Sequence, residues 1–419
     1  MGSPIRPPAK HCRYTAASYC AEVNRPAMPQ PVPPPYGVSF PRRVRKNGAP
    51  LAVIMVLGTL TALILILITS VNPTGAVLGF VMTTVAIVAV LLCYLWLDRW
   101  EPEPPRLLAM AFLWGASVAV VISIILELLT DSVLGAALGG EGPSSPFTVA
   151  VGAPLIEEAA KGLFLVIMMT GRRRHEMNSL TDCLVYAGVT AAGFAWIEDI
   201  FYIANGETIG ESIATAILRL VMSPFAHPLF TTFTGIGVYF ALQQRNLVAR
   251  VSYVLLGYLG AVIMHGLWNG SALIGPKAYL GVYLLWMMPI FALAIALAVY
   301  SRRREQKVVA EKLPGMIAAG LTTPAEASWL GSIKGRKQAI GAATRIGGKP
   351  AGAAIKAYAL QVVELAFVRD RMDRGFADRQ VVELFHYETQ ALYAARAAAG
   401  PALHALAGVP QPAPNYYPR

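Results

Sequence analysis

Eight apolar stretches fill the middle of the chain, at about 51–70, 74–97, 107–129, 147–170, 180–203, 213–242, 251–273 and 279–300. A bilayer's hydrocarbon core is ~30 Å thick and takes about 20 helical residues to cross, so each run is long enough to span. The expected fold class is therefore all-α: a polytopic membrane helix bundle of about eight transmembrane helices. Composition agrees, with 55% hydrophobic and only 14% charged residues in 419, where a soluble domain would carry about a quarter charged.

The net charge of +11 does not point to nucleic acid, because the Lys and Arg gather at the ends of apolar runs, where they report topology. Arg42, Arg43, Arg45 and Lys46, then Arg99 and Arg106, Arg172 to Arg174, Arg245 and Arg250, and Arg302 to Arg304 all fall on one side of an eight-span arrangement. The other side has little beyond Lys277. Both termini are then cytoplasmic and the protein is a multi-pass component of the cell membrane. The first run starts near Leu51, too late and too long for a cleaved secretory signal. Four cysteines, Cys12, Cys20, Cys93 and Cys183, have neither metal-like nor disulfide-framework spacing. The oligomeric state is not legible.

Residues 1–47, with Pro31-Val32-Pro33-Pro34-Pro35, cannot bury enough apolar surface to fold alone and are expected to be a disordered cytoplasmic tail. Residues 48–301 form the transmembrane domain. Residues 302–419 show no run expected to span, but helical patterning at Tyr358 to Val368, stopped by Gly375, predicts a small helical cytoplasmic appendage with a Pro-rich end after Ala407. The sixth span is overlong and holds Ser223-Pro224 and Pro228; since Pro removes a backbone hydrogen bond, 212–222 is expected to be a separate interfacial helix.

The spans differ in polarity. The first, second and eighth hold no ionisable side chain of the carboxylate, Lys, Arg or His kind, and the third only Glu127 near its end. The fourth to seventh hold Glu157, Glu158, Lys161, Asp182, Glu198, Asp199, Arg219, His227 and His265. Ionisable groups at hydrocarbon depth cost ~2.5–3.5 kcal/mol each on insertion scales, so a run such as Glu157-Glu158-Ala159-Ala160-Lys161 reads as a functional site. Asp182 reads as an interfacial cap, and Arg219 as snorkelling or pairing with a carboxylate.

On a helix Lys161 can reach Glu158, three residues back, or Glu157, four back. One Glu can stay ionised against it while the other does chemistry. Phe194 and Glu198 share a helix face, as do His265 and Asn269. At 1.5 Å per residue, Glu157, Glu198 and His265 lie roughly 7–17 Å below the outer ends of their spans, in one layer. Such a set fits activation of water by a carboxylate, with His or Asn donors stabilising an oxyanion. It equally fits a divalent metal such as zinc, since imidazole and carboxylate ligate it. A proton-coupled transporter using the buried Glu and His residues as a relay is the alternative; inverted repeats would favour it, and none is apparent.

The EExxK of Glu157, Glu158 and Lys161, the FxxxE of Phe194 and Glu198, the isolated His227, the HxxxN of His265 and Asn269, and the acidic-proline loop Asp98 to Pro104 together resemble the PrsW family of intramembrane proteases, relatives of the CAAX prenyl proteases. The resemblance covers about residues 50–301. One departure is Asp199, where the family commonly has Asn. The resemblance implies an endopeptidase cutting membrane-associated substrates, for instance an anti-sigma factor. It implies that Glu157 or Glu158 activates water with help from Glu198. His227 and His265 with Asn269 would then polarise the scissile carbonyl, or His227, His265 and Glu198 would bind zinc.

Overall fold

The computed structural model describes residues 49–138, 145–376 and 379–407. The expected tail at 1–47 and the Pro-rich end lie outside these residues. The chain forms α1 (Leu51–Val71), α2 (Pro73–Leu97), α3 (Pro105–Leu113) and, across a π-helical turn at Trp114–Ala119, α4 (Val120–Leu138). A second π-helical turn, Thr148–Gly152, leads into α5 (Ala153–Met168), followed by α6 (Leu180–Ala204) and α7 (Ile209–Ala216). Ile217–Met222 is again π-helical and precedes α8 (Ala226–Leu242) and α9 (Leu247–Ile274). Then come α10 (Pro276–Val282), a π turn at Tyr283–Met287, and α11 (Met288–Ala318). The C-terminal part is α12 (Pro324–Leu330), α13 (Ile333–Asp373) and α14 (Arg379–Leu406). No strand occurs among the described residues.

Among the described residues eight helices are long and apolar enough to cross a membrane, and seven coincide with expected spans. The run at 147–170 is helical too, its π turn at Thr148–Gly152 leading straight into α5, with Glu157, Glu158 and Lys161 interrupting its apolar composition. The remaining candidate is α13, in the region expected to hold no spanning run, which qualifies by length and composition. The 41-residue α13 is not one straight rod: Gly348, with φ 73°, breaks it. Its apolar residues pack into a core of their own with α11, α12 and α14, built on Leu313, Trp329, Tyr358, Val362 and Leu392. Polar patterning hides its length from a window search for uninterrupted apolar runs.

The bundle is organised around α6, whose most apolar window is 89% buried. Its N-terminus is fixed by a capping box, with Ser179 accepting from the Asp182 N–H while Asp182 accepts from the Ser179 N–H; Asp182 is a cap, as expected. Small residues bring α3 and its π turn against it. A Cβ on Gly193 would stand 2.0 Å from the Phe112 carbonyl oxygen, and one on Gly115 would stand 1.9 Å from that of Thr190, so the two backbones touch only because both positions lack a side chain. The sixth run breaks where expected: helix ends at Met222, Ser223–Phe225 intervene, and α8 restarts at Ala226.

The acidic-proline loop joins bundle and C-terminal unit. Tyr186 donates to Glu103 at 2.6 Å, Asn178 donates to both Glu101 oxygens at 3.1 Å, and the Glu103 N–H donates to Asp98 at 2.8 Å. Trp100 is 1% exposed and belongs to the C-terminal core, with the Arg336 guanidinium 4.2 Å from its ring centre.

Candidate active site

One turn into α5, Glu157, Glu158 and Lys161 point into the bundle and are all buried. An ammonium has three N–H donors and no acceptor, and Lys161 uses all three. It donates to Glu157 Oε2 at 3.1 Å and to Glu158 Oε1 at 2.9 Å, and its Nζ lies 3.0 Å from His227 Nδ1. Phe194, from α6, presents its ring centre 3.9 Å from the same nitrogen. Since a lysine ammonium cannot accept, His227 Nδ1 is the acceptor. Its Nε2–H is then left to donate to Glu198 Oε2, 2.6 Å away.

The two glutamates are held differently. Glu158 has both oxygens engaged: Oε1 by Lys161 and by His265 Nδ1 at 3.2 Å, Oε2 by the Thr231 hydroxyl at 2.8 Å. Its side chain has no exposure. Glu157 engages only Oε2, keeps 8% exposure, and has His265 Nε2 3.9 Å from that oxygen. A water between Glu157 Oε2 and His265 Nε2 can reach both at ordinary hydrogen-bond length, about 2.8 Å. The imidazoles of His227 and His265 meet edge-on at 5.1 Å, and Phe230 stacks on His265 at 4.7 Å.

Glu198 and Asp199 share one cation. Arg219, carried by the π turn Ile217–Met222, donates to Glu198 through a terminal nitrogen and to Asp199 through Nε, with its guanidinium 4.2 Å from the Tyr202 ring centre. Arg219 therefore pairs rather than snorkels. An Asn at position 199 would leave the guanidinium facing one carboxylate instead of two.

Four elements thus converge: α5 supplies Glu157, Glu158 and Lys161, α6 supplies Glu198, α8 supplies His227, and α9 supplies His265. Asn269 is not brought to the carboxylates; it donates to the Val149 carbonyl at 3.2 Å and ties α9 to the π turn at Thr148–Gly152. Ligand atoms of Glu157, His227 and His265 all lie within 4.8 Å of one another. That set differs from the expected His227, His265 and Glu198, because Glu198 is drawn to the far nitrogen of His227 by Arg219. Sequence reasoning missed Thr231, whose one signal is its place one turn after His227, and the Lys161 to His227 contact, for which spacing gives none.

A family model described as "PrsW family intramembrane metalloprotease" matches residues 103–294. The chain is 30% identical over 188 residues to Protease PrsW of Clostridioides difficile (strain 630), covering 44% of this chain and 76% of that protein. It is 28% identical over 199 residues to Protease PrsW of Geobacillus kaustophilus (strain HTA426), 46% of this chain and 81% of the relative. A third Protease PrsW, from Oceanobacillus iheyensis, is 28% identical over 184 residues, 43% of this chain and 76% of its own length. No solved structure matches. The matched region carries every residue of the buried cluster, and the chain belongs to the PrsW family of intramembrane proteases.

Proposed function

We propose that this intramembrane endopeptidase cuts its membrane-protein substrates with a water activated by Glu157, and that Glu158 and Lys161 are the frame that holds the base. The observation that carries the reading is the asymmetry between the two glutamates. Glu158 is spent on Lys161, Thr231 and His265, while Glu157 keeps one oxygen without a partner among the described residues.

In this reading Glu157 takes a proton from water through Oε1, its oxygen without a partner among the described residues, while Lys161 holds Oε2. The hydroxide oxygen bonds to the scissile carbonyl carbon, the C=O electron pair moves onto oxygen, and the C–N bond then breaks. Glu157 returns the proton to the leaving amine nitrogen. His265 is oriented by Glu158 through Nδ1, and His227 Nε2–H, resting on Glu198, is the donor we assign to the oxyanion. Arg219 keeps Glu198 in place. Membership of the family decides nothing finer about the substrate; an anti-sigma factor is one membrane-associated protein of the right class.

The family description names a metalloprotease, and Glu157, His227 and His265 are right in kind for a zinc site with an open position. The fit fails at Lys161. Its Nζ stands 3.1 Å from Glu157 and 3.0 Å from His227, so a cation drawing on those side chains must first displace a lysine that already satisfies them. No step here passes through a metal.

We further take residues 48–301 as the catalytic domain, 302–419 as its appendage, and both termini as cytoplasmic, on the basic residues gathered at one end of the bundle. Nothing in the structure or the comparisons favours proton-coupled transport. Comparative proteomics of membrane fractions tests the reading: cells with Glu157→Gln should accumulate an uncleaved membrane protein that wild-type cells process. Equal processing in the two would sink it.

A further inference from the structure

Both cations of the buried site are already spent: Lys161 donates to Glu157 and Glu158 and faces His227, and Arg219 is held by Glu198 and Asp199. One further carboxylate stands beside them. Glu127, on α4, is close enough to Glu157, Glu198 and Lys161 to feel their charges, yet it forms no salt bridge among the described residues, and its Oε1 is buried without a hydrogen-bond partner. Ser123, one turn earlier and 3% exposed, has a buried hydroxyl that also lacks one. Both lie on the face of α4 that carries Ala119 and Val120, which pack with Ala160, Phe194 and Ile197, and Phe194 is the ring that faces Lys161. The chain supplies no counter-charge nearby. Between Arg106 and Lys161 it contains no Lys or Arg, while Asp131, a turn after Glu127, adds a second acid on the same helix. A carboxylate kept in a membrane span without a cation is costly, and such groups mark where a charged partner passes or binds.

We infer that Glu127 is a specificity-determining residue, receiving a lysine or arginine side chain that the substrate carries close to its scissile bond; this rests on the cluster around Glu157 being the place of cleavage. The site is more open on the side Glu127 faces. Side-chain exposure rises from 0% at Glu158 and 8% at Glu157 to 17% at Glu198 and 24% at Arg219, and Glu127 is itself partly exposed. An ammonium or guanidinium brings several N–H donors on a long apolar stem, so it can reach the Glu127 carboxylate, with the Ser123 hydroxyl beside it, while the substrate backbone stays at Glu157. A neutral side chain in its place leaves the carboxylate unpaired, and an acidic one opposes it, which is how a fixed charge selects among substrates. Glu127 takes no part in bond breaking; it decides which peptide bond is presented.

The test uses the full chain in phosphatidylcholine proteoliposomes, cutting a membrane protein whose cleavage fragment disappears from cells that lack the protease. That protein is compared with two versions in which the Lys or Arg nearest the cut is replaced by Gln or by Glu. Glu127→Gln should lower kcat/KM on the unaltered substrate by about tenfold, mainly through KM. It should cut the Gln version as wild type does, which also shows that the variant is folded. Glu127→Lys should prefer the Glu version to the unaltered one, reversing the wild-type order. Glu207→Gln removes an equal charge at an exposed position and should leave the preference unchanged. Equal kcat/KM for wild type and Glu127→Gln on the unaltered substrate overturns the proposal, as does a cut with no Lys or Arg within about five residues. Equal loss on the unaltered and Gln substrates, which a merely structural role predicts, overturns it too, and so does an equal loss in Glu207→Gln. If Glu127→Lys fails to fold, recognised by its loss of helical circular dichroism, the Glu127→Gln comparison decides alone. The catalytic reading is tested separately by Glu157→Gln on the same substrates: cutting by that variant with the wild-type charge preference would reassign the base and leave the role of Glu127 standing.

Discussion

At the scale of single residues the account rests on unequal use of two adjacent glutamates. Glu157→Gln removes the proton acceptor and should lower kcat by roughly 10²–10⁴-fold, the usual weight of a positioned base, with expression and insertion unchanged. Glu158→Gln should act differently: it leaves Lys161 and the His265 Nδ1 position short of a carboxylate, so loss of activity should come with lower thermal stability. A uniform loss without destabilisation in both would remove the distinction. Metal use separates by the same logic. If Glu157 acts alone, cleavage survives full demetallation; stoichiometric zinc lost and regained together with activity, and reduced by His265→Ala, would establish the metal reading instead. The residues on one helix face were legible from spacing, which is why the reach of Lys161 to both glutamates and the capping place of Asp182 could be read. Thr231 and the Lys161 to His227 contact, 73 and 66 positions from their partners, depend on how α8 lies against α5, which no local pattern encodes.

At the scale of elements, backbone contact and π turns set where the side chains arrive. Gly193→Ala would drive a Cβ to 2.0 Å from the Phe112 oxygen and should cost about 1–3 kcal/mol by overpacking, read as a fall in thermal stability with proportionate loss of activity. Three of the π turns touch the site: Trp114 donates to the Ala160 carbonyl at 3.0 Å, Val149 accepts from Asn269, and Arg219 rides on Ile217–Met222. Such widened turns were invisible in an apolar run, which carries length but not phase. In the C-terminal unit, α12 and α14 are joined by Glu326 and Arg396, 2.9 Å apart. Burial raises the Glu326 carboxyl, but hydrogen bonds from Arg396, Tyr358 and the Thr323 N–H outweigh it and hold the group below its usual 4.5. A depressed carboxyl stabilises the fold above about pH 4.5 and loses that contribution as pH falls through its lowered value. Wild type should therefore be more stable than Glu326→Gln at pH 7, with the difference shrinking as pH falls below about 4.5; equal stability of the two at pH 7 would show the pair to be inert.

At the scale of the whole molecule, the run lengths gave a helical membrane bundle, while the length of α13 was not legible because charge interrupts its apolar residues. The topology makes a direct prediction. In a chain freed of its own cysteines, a cysteine at Lys277 should react with an impermeant reagent added outside intact cells and one at Arg99 should not; the reverse would invert the bundle. The central claim is narrower, that Glu157 activates water while Lys161 holds the site together. Its most direct measurement is single-turnover cleavage, in metal-free proteoliposomes, of a membrane protein found to accumulate in Glu157→Gln cells. Wild type should cut it and Glu157→Gln should not, with equal insertion of both. Undiminished cleavage by Glu157→Gln, or cleavage by wild type only after zinc is restored, would contradict the account.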